Sequence, residues 1–316
     1  MNTQQQILKI IKERYSNDYI ARNIVENLPL NKQAWHFLEN CTLVVFTYET
    51  VVLNSLQKCK NILDQLNPEY LFLKFIPTLP EQKLIELYKY HVPDRINCEQ
   101  KNYLKKIAPS VGWPMVRYRF SKPMLVCLIK GEKDFCKRVL ACKGSADPKL
   151  CTKNQVRYYS PNMSFTLMHS SDDIAAVLFE AIILLGFKNV VNILNNFEDE
   201  NQLKNRQRIN EALFDEYIRL NESCLPTLKN TLNYTKEKIH WLKKVNQNNV
   251  LNESQENVDL LKDLELILFG KCGVFDIDET INQITKLGVV IDEWQINLLR
   301  SHLFFKLNDV WNGDID

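Results

Sequence analysis

A chain of 316 residues, 45% hydrophobic and 25% charged, can build one large core or two ordinary ones. Its net charge of +2 gives no electrostatic case for nucleic acid or an anionic membrane as partner. Glycine is scarce, 8 residues where average usage gives about 22, which argues against glycine-rich phosphate loops and leans helical.

The start, "MNTQQQILKIIKERYSNDY", has no apolar core followed by a small-residue cleavage site and is not read as a signal peptide. Residues 174–187 form the longest apolar run; it is short and carries Glu180, so no membrane span is expected. Nine cysteines, an odd number without a CxxC pair, are expected as free thiols in a reducing, cytoplasmic setting. Cys136, Cys142 and Cys151 are spaced too widely for zinc, and neither a metal nor another cofactor is expected.

Residues 1–39 read as one or two helices, with Ile7, Ile10, Ile11 and Tyr15 at helical spacing and "NLPLNKQ" as a break. "TLVVFTYETVVL", from Thr42, is a β-rich run. Residues 54–66 then form an amphipathic helix that presents Leu56, Cys59, Ile62 and Leu63 on one face. "EYLFLKFIP" is a second strand, residues 79–90 are helical, and another helical stretch surrounds Leu104. "KPMLVCLIKG" is a third strand, and "EKDFCKRVLACKG" is a helix that stops at Gly144, a good C′ residue. An irregular loop over 145–161 leads to a fourth strand, "MSFTLMHS", and Ser171 or Asp172 caps the helix "DIAAVLFEAIILLGF". This order predicts an α+β fold: a ferredoxin-like βαββαβ domain with helices on one face of a four-stranded antiparallel sheet.

The remainder is all-α. Ile209, Leu213, Tyr217 and Leu220 form one helical face, and Leu228, Leu232, Ile239 and Leu242 another, either a partner-binding stripe or a face packed on its own domain. "VNQNNVLNESQENVD" is polar and reads as a linker. The expected units are an N-terminal helical segment at 1–39, the α+β domain at 40–188, a helical region with linker at 189–257, and a helical block at 258–316.

Three motifs in the α+β region point to chemistry. "HSSDD", with Glu180 on the next helix, puts His169 eleven residues before a carboxylate that can return to it. "GSADP" forms a turn at Gly144 to Pro148, and "QVRYY" carries Arg157. Together they resemble the nucleoside diphosphate kinase family over residues 41–187. The resemblance implies a phosphohistidine at His169, held by Glu180, and a nucleotide phosphate at Arg157. A histidine nucleophile needs a neutral ring held through one nitrogen, and phosphoryl transfer needs surrounding cations and donors.

Most of those cations and donors are replaced. Thr47 stands at the family's lysine, Glu49 at its aspartate, Ala146 at the threonine of the turn and Leu140 at an arginine, with Arg138 two residues away. Thr166 stands at the asparagine before the histidine, Phe165 at the arginine before that, and Ser170 at the glycine after it. His169 and Glu180 are therefore expected as relic catalytic positions in an inactive kinase-like domain, and Arg157 as a weak nucleotide contact. Met163 and Phe165 would line a base pocket or belong to the core.

"GVFDIDETINQITKLGVVIDEWQINLLRSHLF" resembles part of an EF-hand pair, with Gly273, Phe275 and Glu279 at the sixth, eighth and twelfth loop places. Leu268, Gly270 and Cys272 offer no side-chain oxygen where calcium needs it, so no metal is implied. Domains resembling this kinase and fused to extra modules are common in cilia and flagella. The resemblance implies a structural or docking subunit of an axoneme, a monomer within a larger complex, with axonemal proteins and tubulin as partners. Two alternatives stay open: a slow kinase with Lys137 or Lys143 replacing the lost lysine, and a module that binds nucleotide without transfer.

Overall fold

The structure, a computed structural model, describes residues 2–16, 18–88, 112–196, 200–219, 228–247, 255–268 and 276–302. The stretch around Leu104, the EF-hand-like places Gly270, Cys272, Gly273 and Phe275, and the final "DVWNGDID" lie outside them.

The N-terminal segment forms three helices, one more than the most expected: α1 (Thr3–Arg14), α2 (Tyr19–Asn27) and α3 (Lys32–Leu38). Each begins on an Asx cap, Asn2, Asp18 and Asn31, whose side chain accepts a first-turn N–H. Strands β1 (Cys41–Phe46), β2 (Glu69–Ile76), β3 (Met124–Lys130) and β4 (Met168–Ser170) make one antiparallel sheet in the order β2-β3-β1-β4. That is the split βαβ order, and the α+β expectation is met.

Between the strands lie α4 (Tyr48–Val52), α5 (Leu56–Asp64), α6 (Glu81–Tyr88), α7 (Gly112–Phe120) and α8 (Phe135–Lys143). After β4 come α9 (Ile174–Leu185), α10 (Phe187–Asn195) and α11 (Glu200–Arg219). The helices cover both faces of the sheet, a correction to the one-face expectation. Leu43, Val45, Val126 and Leu128 face a core built with α1, α6 and α9, while Val44, Phe46, Leu125 and Cys127 face another built with α5, α8 and α11. The reason was visible in the sequence: β1 and β3 are continuous apolar runs without the polar alternation of a solvated face.

Two local expectations also shift. The run from Thr42 stays extended only to Phe46, because the Thr47 N–H donates to the Leu167 carbonyl and its hydroxyl to the carbonyls of Thr166 and Leu167. The chain then turns into α4 despite its β-branched residues, so tertiary context outweighs propensity. The fourth strand shrinks to three residues, since the Asn162 side chain accepts from the N–H groups of Ser164 and Phe165 and holds that stretch bent.

Apart from Glu180, helix α9 is apolar all round, and such a helix must be buried. The sheet covers one side and α1 the other, where the Tyr15 ring stacks on Phe179 at 4.1 Å and Arg14 reaches Asp173 at 2.6 Å. The last described helices, α12 (Leu228–Gln247), α13 (Gln255–Leu268), α14 (Ile277–Lys286) and α15 (Glu293–His302), bury Ile239, Leu260, Leu264, Ile284 and Trp294 in a third core. Ile239 of the expected stripe thus packs within the chain. Val52, Tyr118 and Phe165 join that core, so this bundle closes onto the sheet domain. No described helix is long and apolar enough to cross a membrane.

Candidate functional site

His169 sits in the middle of the edge strand β4, opposite Val45, and Glu180 lies on the second turn of α9. The cap of that helix is Asp173, a correction to the expected Ser171 or Asp172; its carboxylate accepts from the Ala176 N–H at 2.9 Å. This entry geometry folds α9 back so that Glu180 Oε2 meets His169 Nε2 at 2.9 Å. The Ser171 hydroxyl donates to the same oxygen at 2.7 Å. Glu180 is buried, and it holds the imidazole ring through Nε2.

Two cations lie near this pair, and only one of them was expected there from its motif. Lys143, at the end of α8, is 6% exposed, and its ammonium donates to the Ser170 carbonyl at 3.1 Å with Asp172 Oδ1 at 4.0 Å. Burial, and next the neighbouring Arg157 charge, bring its pKa down to about 8, while Asp172 and Glu180 act in the opposite sense. Arg157 is half-buried in the 3-10 turn Val156–Tyr159. Lys137 instead pairs at the surface with Asp134 at 3.2 Å, and Arg138 with Glu132 at 2.8 Å. Gly144 ends α8 at φ +86°, and a Cβ there would lie 2.8 Å from Cys151 Sγ, so the "GSADP" turn requires glycine.

Three of the replaced positions meet on one residue that the sequence did not single out. Arg119, from α7, is buried; its Nη2 donates to the Thr166 carbonyl at 2.7 Å and to the Thr166 hydroxyl at 3.1 Å. The same nitrogen lies 3.4 Å from the Thr47 hydroxyl, and Nε forms an ion pair with the fully buried Glu49. Thr47 and Thr166, two places where the resemblance implies phosphate contacts, are thereby tied with Glu49 into an internal polar network. The trace in the sequence was a pair of arginines, Arg117 and Arg119, inside the otherwise apolar "WPMVRYRF", and Arg117 pairs with Glu81 at the surface.

Phe165 has a different partner. It is fully buried with its ring 4.8 Å from that of Trp294 on α15. Asn162 Nδ2 donates to the Ser301 hydroxyl at 2.6 Å, and Lys122 pairs with Glu293 at 2.6 Å, so the bundle is fastened along this rim. Phe165 therefore belongs to the core, while Met163 is exposed.

Glu279 lies in the first turn of α14, where its N–H donates to the capping Asp276 and its carboxylate accepts from Gln283. Among the described residues no cluster of three or more His, Cys, Asp or Glu side chains could hold a metal ion.

No protein-family model and no curated protein matches the sequence. Solved structures do match over part of it. The nucleoside diphosphate kinase of Aquifex aeolicus is 19% identical, covering 46% of this chain and 94% of that one at a TM-score of 0.36. That of Encephalitozoon cuniculi is 14% identical, covering 46% and 89% at 0.37. That of Borrelia burgdorferi, solved with vanadate and ADP, is 15% identical, covering 46% and 85% at 0.36. These three structures are of the family that the motifs resemble, and none of the three is an EF-hand protein. At these TM-scores the likeness carries no argument, and the fold rests on strand order and register.

Proposed function

We propose that this chain is a nucleoside diphosphate kinase-like protein that has given up phosphoryl transfer and serves as a docking subunit of a larger assembly. One observation carries the reading: Arg119 is consumed by Glu49, Thr47 and Thr166, so the side chains at those three places serve the fold. Trp294 on Phe165 supports it, because the C-terminal helices then cover the rim where a base would enter. Losing a single preorganised donor typically costs about a hundredfold or more in rate, and here several are replaced. The ciliary or flagellar axoneme, with tubulin or other axonemal proteins as partners, is part of the proposal and rests on the motif resemblance.

A second reading has its own observation. His169 remains held by Glu180, and Lys143 and Arg157 still bring positive charge to that end of the sheet. In this case a ring nitrogen of His169 attacks the γ-phosphorus of ATP, the bond to the bridging oxygen breaks, and ADP leaves.

The test is incubation of the protein with γ-labelled ATP and magnesium, with His169→Ala alongside. The docking reading expects no acid-labile label in either protein. Label that disappears in the mutant would overturn it in favour of the slow kinase.

A further inference from the structure

Over residues 233–244, helix α12 buries one side and leaves the other exposed among the described residues. Ile239 and Thr235 face inward, whereas Tyr234 is 54% and Trp241 59% exposed. Seven residues apart, the two rings stand on the same face about 10.5 Å from each other along the axis. A large aromatic left half in water is the residue type that most often anchors a partner. The patch also extends beyond the helix. Lys238 lies between the rings in sequence, and its ammonium would be 3.2 Å from a Cβ on Gly288, two residues before Val290, which is 91% exposed.

Charge selects the partner. Helix α12 carries five lysines against one glutamate, Glu237. Lys236 is engaged by Glu265, but among the described residues Lys238 and Lys244 form no ion pair. Two apolar rings flanked by uncompensated ammonium groups complement a segment that alternates carboxylates with apolar side chains.

We propose that the outer face of α12, centred on Tyr234, Lys238 and Trp241, is a docking site for an acidic, apolar-anchored peptide segment of a partner protein. This rests on the docking-subunit reading and gives that reading a surface.

The probe is a fluorescein-labelled peptide of glutamates with a leucine at every fourth position, titrated with the full chain and followed by anisotropy. An all-glutamate peptide and phosphatidylserine vesicles are run beside it. Binding of the Glu/Leu peptide should weaken about tenfold or more in Trp241→Ala. It should weaken similarly in the Lys238→Glu, Lys244→Glu double variant, with unchanged thermal melting in both. Peptide binding that ignores Trp241→Ala, equal affinity for the all-glutamate peptide, or binding to vesicles alone would overturn the proposal. Its fate is separate from that of the parent reading: a chain that labels at His169 and still binds this peptide through Trp241 loses the inactivity and keeps the site.

Discussion

Arg119 and Glu49 form an ion pair that water hardly reaches, their side chains being 8% and 0% exposed. Nη2 of the guanidinium also donates to Thr166, whereas both Glu49 oxygens are buried without a hydrogen bond among the described residues, so the carboxylate depends on the ion pair with Arg119.

Removing one partner should therefore be costly and removing both much less so. Arg119→Met is expected to lower unfolding free energy by about 3–5 kcal/mol, because it strands a buried carboxylate. Arg119→Met combined with Glu49→Leu should recover most of that loss. Urea denaturation of the two variants measures it, and a single-variant cost below about 1 kcal/mol would contradict the buried pair.

Lys143 makes stability depend on pH in the alkaline range. Its pKa falls from 10.5 in the unfolded chain to about 8 in the fold, so the folded state resists protonation. The penalty is complete below pH 8 and gone above 10.5, and stability should climb between them. Its full size is on the order of 3 kcal/mol by the shift. Lys143→Met should remove that climb in melting temperatures taken from pH 7 to 10; an unchanged climb would assign it to other groups.

Trp294 is the clamp between the C-terminal bundle and the sheet domain. Trp294→Ala should cost about 3–5 kcal/mol, the range for a fully buried aromatic. Calorimetry should show one melting transition for the unmodified chain and two for the variant, the bundle melting first. One sharp transition at an unchanged temperature would mean that the Phe165 contact does not couple the two parts.

Two neighbours on α1 should behave differently although both contact α9. Arg14→Ala removes a pair with Asp173 that is well exposed on both sides and should cost no more than about 1 kcal/mol. Tyr15→Ala removes a buried ring stacked on Phe179 and should cost about 3 kcal/mol. Equal losses in chemical denaturation would show that the ion pair seats α1 as strongly as the stack.

Much of this protein was decided by local sequence. The apolar runs at β1 and β3, the period of the amphipathic helices and the glycine at 144 fixed the strand and helix order, because hydrophobic periodicity and positive φ act within a few residues. His169 and Glu180 were pairable by eye, since only one turn and the start of a helix separate them. Tertiary structure alone decided what became of the remaining site. Arg119 reaches Thr166 across 47 residues and Thr47 across 72, and Trp294 reaches Phe165 from the other end of the chain. Periodicity says that a residue is buried but not against what. The partner of a buried charge is set by which elements the sheet brings together, and this fold brought a structural arginine to the positions where the motif resemblance had suggested phosphate.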